Sequence, residues 1–221
     1  MTEQSWTPVD EYLCGLLVPS DAALEGAIQS GIDADMPQIQ VSPNQARLLY
    51  LLARMLGAKR VLEIGTLAGF STIWLARALP PDGRLVTLEV DPAHAEVART
   101  NFRRAGLHSV IEVRVGPALA SLPVLADEGA GPFDFVFIDA DKENNREYVA
   151  WALAMSHAGT VIVVDNVVRH GAVVHETADA TIRGIRRMLE YIAAEPRFEA
   201  TAMQTVGIKG YDGFALLRVV D

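Results

Sequence analysis

The chain of 221 residues is long enough for one sizeable domain, and half of its residues are hydrophobic, so a packed core is readily supplied. Its formal net charge of −9 argues against a nucleic-acid partner and an anionic membrane surface, because both usually bind basic proteins. Cys14 is the sole cysteine, which excludes an internal disulfide and a thiolate metal cluster. Without a signal-peptide pattern or a membrane-spanning apolar run, we expect a cytoplasmic protein with no membrane partner.

The N-terminal part of the chain predicts helices. Residues 1–40 have a helical pattern that prolines and a glycine interrupt. The segment Ser42-Pro43-Asn44 then has the form of a helix start, and the apolar sequence ARLLYLLARML follows it up to Gly57. We expect residues 1–57 to form a helical segment and residues 58–221 to form an α/β core, the two together making a single domain.

From residue 60 onward, short apolar strands alternate with helices. Strands that are apolar along nearly their whole length indicate a parallel sheet with both faces covered. The five predicted strands are RVLEI (60–64), RLVTLEV (84–90), VIEVRVG (110–116), FDFVFID (133–139) and GTVIVVD (159–165).

The pattern changes after a predicted helix near residues 178–193. Two strand-like segments, FEATAMQTV (198–206) and GFALLRVV (213–220), are joined by GIKGYD, which predicts a hairpin with an antiparallel last strand. The expected fold class is α/β, with N-terminal helices and a doubly wound, mostly parallel sheet that ends in an antiparallel C-terminal edge hairpin. Ligands of such sheets bind at the carboxyl ends of the strands, where the strand order reverses.

A glycine-containing turn, EIGTLAGFS (63–71), follows the first strand. Gly65 and Gly69 permit a tight turn and close approach of a ligand, but their spacing matches neither the dinucleotide fingerprint nor a phosphate-binding P-loop. A dehydrogenase is therefore the least favoured enzyme class. Glu63 would repel a pyrophosphate and suits a positively charged ligand, whereas Glu89 closes the second strand and is typical of a ribose acceptor.

Two further strands end in acidic residues. FVFIDADKENN (135–145) contains Asp139 and Lys142, and VIVVDNVV (161–168) contains Asp165 and Asn166. Asp139, Asp165 and Asn166 offer three hard oxygen ligands, which suit Mg²⁺, Ca²⁺ or Mn²⁺. The alternative is that the aspartates cap the following helix and that Lys142 is a solvated surface residue.

The motifs VLEIGTLAGFSTIWLA, LEVDPAHAEVAR, FVFIDADKENN and VVDNVVRHG resemble those of the cation-dependent class I O-methyltransferases. This family has a Rossmann-like fold and includes catechol and caffeoyl-coenzyme-A O-methyltransferases. The similarity extends from about residue 40 to residue 220. The pairing of IDADK with DN, 26 positions apart, is its most specific part.

The resemblance implies that S-adenosylmethionine is the cofactor. Its methionine end and the turn would be surrounded by Glu63, Gly65, Thr66 and Ser71, and its ribose would be held by Glu89. Ala118 would lie beside the adenine, and Val41 and Asp141 also match positions that contact the cofactor.

The resemblance also implies a catalytic centre. Asp139, Asp165 and Asn166 would bind the divalent cation, with Mg²⁺ the first choice, and Lys142 beside Asp139 would help to remove the proton of a phenol. Residues 1–57 would cover the substrate. Dimers are usual in the family, so we expect a homodimer.

The sequence departs from the family pattern at two places. Arg169 stands where plant-type relatives have an aromatic residue, so a stacking wall for a planar substrate is not expected. Residues 1–46 contain no lysine or arginine, which disfavours substrates that carry phosphates, namely coenzyme-A thioesters and tRNA. His170 and His175 follow the metal motif and are candidates for the substrate mouth.

We therefore expect methyl transfer to a hydroxyl of a catechol-like small molecule. The alternatives are methylation of hydroxyuridine in tRNA and a non-catalytic nucleotide-binding module.

Overall fold

The chain alternates between helices and strands in the order that its apolar pattern predicts. The computed structural model describes residues 5–176 and 179–221. The strands are β1 (Arg60–Ile64), β2 (Arg84–Glu89), β3 (Ile111–Val115), β4 (Phe133–Ile138), β5 (Ser156–Asp165), β6 (Phe198–Gly207) and β7 (Gly210–Val219). The α-helices are α1 (Trp6–Leu17), α2 (Ala22–Asp33), α3 (Pro43–Leu56), α4 (Phe70–Ala78), α5 (Pro92–Arg104), α6 (Ala118–Asp127), α7 (Asn145–Ala154) and α8 (Ala180–Ala194).

The seven strands form one sheet in the order β3-β2-β1-β4-β5-β7-β6. Strands β1 to β5 are parallel, whereas β7 runs antiparallel to both β5 and β6. The strand order reverses between β1 and β4, which is where sheets of this kind bind ligands. The expected doubly wound sheet with an antiparallel edge hairpin is confirmed.

Alternate side chains of each central strand pack on opposite faces of the sheet. In β4, Val136 and Ile138 belong to one core cluster, which includes residues of α7 and α8. Phe135 and Phe137 belong to the other, which includes residues of α3 and α4. Because both faces of the sheet are covered, the central strands are apolar along almost their whole length.

Two boundaries differ from the sequence prediction. Strand β5 begins at Ser156, so His157 lies inside the strand, where its Nε2 lies 2.9 Å from Asp134 Oδ1. The hairpin turn consists of Ile208 and Lys209, because Tyr211 pairs with Val206 in the β6–β7 ladder. A two-residue turn between Gly207 and Gly210 is shorter than the predicted six-residue connection.

Over the two described ranges, 5–176 and 179–221, no helix combines the length and the apolar character needed to cross a bilayer.

Candidate functional site

A cavity of about 840 Å³ opens at the carboxyl ends of the parallel strands, at the point where the strand order reverses. The sequence-predicted site residues in its wall are Val41, Gly65, Thr66, Ser71, Glu89, Ala118, Asp139, Asp141, Lys142 and Asn166. The other two predicted residues, Glu63 and Asp165, are buried behind that wall. The sheet topology therefore brings together motifs that lie more than 100 residues apart in the chain.

The glycine turn after β1 lies directly against the end of β4. Gly65 has a φ of +100°, and a Cβ at this position would collide with the backbone carbonyl of Asp139. Its amide donates to the Leu88 carbonyl at 3.0 Å. A glycine is needed here both for the backbone conformation and for the close approach, which joins the predicted cofactor loop to the acidic strand end.

Glu89 fastens this turn to the end of β2. Its Oε2 accepts hydrogen bonds from the amides of Thr66 at 3.2 Å and Leu67 at 2.8 Å, and its Oε1 accepts one from the Asp91 amide at 3.0 Å. The side chain is nearly buried but still forms part of the cavity wall. Glu89 thus stabilises the loop in addition to presenting an acceptor to the cavity.

Glu63 lies within β1, beneath the turn, and is fully buried. Its carboxylate accepts hydrogen bonds from the hydroxyls of Ser71 at 2.7 Å, Thr87 at 2.7 Å and Thr72. Burial raises the pKa of Glu63 to about 7, although these three donors oppose the shift. Among the described residues, Ser71 connects this carboxylate to the cavity wall.

Asp139 and Asp165 face each other at the ends of neighbouring strands. Ile138 of β4 is in register with Val164 of β5, which places the two aspartates side by side. Asp165 is 5% exposed, and burial together with the charge of Asp139 raises its pKa to about 7. A buried carboxylate beside a second, partly buried one favours a bound cation.

Lys142 is part of this cluster and is not a solvated surface residue. Its Nζ lies 2.8 Å from Asp139 Oδ1, and its side chain is 9% exposed. Asn166 also lines the cavity and has a φ of +59°, a left-handed conformation that asparagine tolerates better than most residues. The backbone N–H of Asn166 donates to Asp165 Oδ1 at 2.8 Å.

The acidic cluster consists of two carboxylates and one side-chain amide. In the described part of the chain, no group of three or more His, Cys, Asp or Glu side chains could hold a metal ion. The sequence prediction names Asp139, Asp165 and Asn166 as the ligands of a divalent cation. They supply oxygen alone, which suits a hard divalent cation.

Asp141 does not cap the helix that follows it. Its carboxylate accepts hydrogen bonds from the Tyr148 hydroxyl and from Asn144 Nδ2. Burial and the neighbouring Asp141 raise the pKa of Tyr148, which keeps that hydroxyl a donor. Asp141 is thus held in the cavity wall by side chains of the next turn and the next helix.

Several residues of the site have no distinctive sequence signal. Gln45, on α3, acts on Asp165 by lowering its pKa against the effect of burial, and Thr87 donates a hydrogen bond to Glu63 from the neighbouring strand. Thr87 and Glu89 share the period-2 alternation of β2, which is the one sequence feature that could have placed Thr87 at the site. Gln45 depends on how α3 packs and could not have been identified in this way.

The loop after Asn166 contributes Arg169 to the cavity wall, where Arg169 Nη1 lies 3.9 Å from Asp212 Oδ2. His170 and His175 are both exposed and are not among the described residues that line the cavity.

The chain is similar to known proteins over nearly its whole length. Residues 20–220 match the O-methyltransferase family model. The chain is 52% identical to a catechol O-methyltransferase of Niastella koreensis, over 99% of this chain and all of that protein. It is 54% identical to a catechol O-methyltransferase of Mycobacterium tuberculosis, over 96% of this chain and 94% of that protein.

A solved structure has the same fold and holds the cofactor that the motifs imply. The O-methyltransferase TomG of Streptomyces achromogenes, in complex with S-adenosylmethionine, superposes with a TM-score of 0.97 at 49% identity, and each chain is covered in full. The resemblance of the motifs is therefore confirmed. The chain belongs to the O-methyltransferase family and is an S-adenosylmethionine-dependent O-methyltransferase.

Proposed function

We propose that the protein transfers the methyl group of S-adenosylmethionine to one hydroxyl of a catechol-like small molecule, with the help of a divalent cation. The observation that carries the proposal is the position of the acidic cluster. Asp139 and Asn166 line the same cavity as the glycine turn, and Gly65 lies against the Asp139 backbone. A hydroxyl bound at the cluster would therefore be next to a cofactor bound on the turn.

The residues of the cluster fit a divalent cation. Asp165 is buried beside Asp139, and the Lys142 ammonium lies against one of the Asp139 oxygens. One ammonium does not neutralise two adjacent carboxylates, one of which is buried, so a further cation would stabilise them. Asp139, Asp165 and Asn166 would hold it, with Mg²⁺ the first choice and Ca²⁺ or Mn²⁺ also suitable.

Such a cation explains why a catechol is favoured. A phenol has a pKa of about 10 and is a weak nucleophile at neutral pH. When bound, a divalent cation supplies Lewis acidity and a template for two neighbouring oxygens. The relatives from Niastella koreensis and Mycobacterium tuberculosis are both named catechol O-methyltransferases, which supports the same acceptor class.

Lys142 is the proposed base. Its Nζ is buried at the cavity wall beside Asp139. As a neutral amine it would accept the proton of the reacting hydroxyl, and as an ammonium it would stabilise the charge of the phenolate. The phenolic oxygen would then bond to the methyl carbon as the carbon–sulfur bond breaks. Asp139 would position Lys142, because Lys142 Nζ lies 2.8 Å from Asp139 Oδ1.

The proposed cofactor contacts follow the cavity wall. The methionine end would be surrounded by Gly65, Thr66 and Ser71. Glu63 would act on it through Ser71, because the Ser71 hydroxyl donates a hydrogen bond to Glu63 at 2.7 Å. Glu89 would accept from the ribose hydroxyls. The remaining proposed contacts are Val41, Ala118 and Asp141, which all line the cavity.

The N-terminal segment is proposed to cover the substrate and to carry a dimer interface. Val41 and the residues just before it form part of the cavity wall. On the other side of the segment, α1 has no buried residue, and Tyr12, Leu16 and Leu17 are each about two-thirds exposed. Exposed apolar side chains in such a contiguous group mark an interaction surface.

We predict that the wild-type enzyme methylates caffeic acid in the presence of Mg²⁺ and that 4-coumaric acid, which has a single ring hydroxyl, does not react. Two neighbouring oxygens are needed for positioning, which is a large part of the rate. Methyl transfer should be measured with each acceptor, with Mg²⁺ and with excess chelator. Equal rates for the two acids, or full activity in chelator, would contradict the proposal.

Replacing Asp165 with asparagine should lower methyl transfer on the order of 100-fold or more, because a charged cation ligand is lost. The Kd for S-adenosylmethionine should stay within about twofold of the wild-type value, since Asp165 does not line the cavity and is not part of the glycine turn. Calorimetry and turnover should be measured on the same preparation. Asp127→Asn, at an exposed position, is the control. Full activity of a folded Asp165→Asn enzyme would end the metal assignment.

Glu89→Ala should weaken S-adenosylmethionine binding by about tenfold to a hundredfold, because a charged acceptor is worth roughly 1.5–3 kcal/mol. Glu89→Gln keeps a side-chain oxygen for the Thr66 and Leu67 amides, so it separates loop stability from the ribose contact. The dissociation constants can be compared by calorimetry. If both variants bind as tightly as wild type, Glu89 does not hold the ribose.

In solution we expect a homodimer with twice the chain mass of 23.9 kDa, because dimerisation through α1 would remove several apolar side chains from water. Light scattering should show a shift toward the monomer for Leu16→Glu. Val124→Glu, at an exposed position on α6, should leave the mass unchanged. A wild-type monomer at micromolar concentration would rule out the homodimer.

A further inference from the structure

The turn of the C-terminal hairpin lies at the rim of the cavity. Lys209 Nζ donates to the Gln38 carbonyl at 2.9 Å, and the Ile208 amide donates to Asp10 Oδ2 at 2.8 Å. Both neighbours of Gln38 in the chain, Pro37 and Ile39, line the cavity. Lys209 is therefore fixed beside the N-terminal side of the cavity mouth, 171 residues away in sequence from its carbonyl partner.

The same hairpin is also fastened to the other side of the mouth. Asp212 Oδ1 accepts hydrogen bonds from the amides of Val168 at 3.0 Å and Arg169 at 2.9 Å, and the His170 amide donates to the Tyr211 carbonyl at 3.2 Å. Val168, Arg169 and His170 follow closely after Asn166 of the acidic cluster in the chain. The hairpin turn thus connects the two walls, and Lys209 has a defined position relative to both.

Lys209 differs from the cations of the cavity wall in its partner. Among the described lining residues, Lys142 and Arg169 carry a positive charge, and each faces a carboxylate, Asp139 and Asp212 respectively. Within the described part of the chain, Lys209 donates to a carbonyl oxygen, which leaves its charge in place and two of its three donors available to a ligand. Partial burial lowers the pKa of Lys209, and the charge of Asp139 opposes that shift, so the ammonium lies within electrostatic reach of the acidic cluster.

We propose that Lys209 determines acceptor specificity by binding a carboxylate on the ring substituent of the substrate. The inference rests on the proposed function, in which the hydroxyls of the acceptor lie at the acidic cluster. Any substituent on the ring would then extend toward the mouth, where Lys209 is held. A single ammonium suits one carboxylate, whereas a diphosphate carries more negative charge than Lys209 alone would balance.

The test compares two acceptors that differ by one charge, caffeic acid and its neutral methyl ester. For each, kcat/KM is measured with wild type, Lys209→Met and Lys209→Arg at saturating S-adenosylmethionine and Mg²⁺. Lys209→Met should lower the ratio of kcat/KM for acid over ester by about five- to tenfold, mainly through KM for the acid, because an exposed charge pair contributes less than a buried one. Lys209→Arg keeps the charge and should retain most of the ratio.

Each outcome decides between Lys209 as a carboxylate-binding residue and Lys209 as a clamp on the Gln38 loop. An unchanged ratio of kcat/KM for acid over ester in Lys209→Met would overturn the proposal. If kcat/KM also fell equally for both acceptors, the lysine would be a clamp. Lys59→Met removes an exposed lysine bonded to Asp82 and controls for net charge. Methylation of the ester by wild type tests the proposed function separately, because the ester has the catechol but lacks the carboxylate.

Discussion

The site depends on the register between two neighbouring parallel strands, β4 and β5. Because Ile138 is paired with Val164, the next residues along each strand bring Asp139 and Asp165 together. A shift of one residue in either strand would turn its apolar side chains to the wrong face and would separate the two carboxylates. The packing that buries Phe135, Phe137 and their neighbours thus also holds two like charges close together, at a cost in free energy that a bound cation would offset.

The acidic cluster and the cofactor loop are coupled through the backbone. The turn at Gly65 follows the central strand β1, which lies beside β4, and a side chain at this position would strike the Asp139 carbonyl. Glu89 then fixes the turn by accepting from two of its amides, while Glu63 lies beneath it with three hydroxyl donors. The two glutamates have different physical roles, because one is part of the cavity wall and the other is wholly enclosed.

The N-terminal segment and the C-terminal hairpin contact each other beside the cavity. Asp10 of α1 and Gln38 hold the hairpin turn, and Asp212 of β7 holds the loop that carries Arg169. Positions 1–46 contain no lysine or arginine, but this segment alone does not set the charge at the mouth. Folding places Lys209 against this acidic segment, so the local charge differs from that of the contiguous sequence.

The sequence by itself determined the succession of strands and helices, because apolar runs of strand length separated by amphipathic helices specify a parallel sheet with both faces covered. It also identified the acidic and glycine residues at the strand ends, since those types are unusual beside buried strands. The tertiary structure alone decided which of these residues meet. Gln45 and Lys209 reach the site through the packing of α3 and of the hairpin turn, and neither position differs in sequence from an ordinary surface residue. The sequence put Glu63 where the first strand meets the turn, but it did not indicate that the carboxyl group is fully buried. The hydroxyls of Ser71, Thr72 and Thr87 supply the hydrogen bonds that allow this burial.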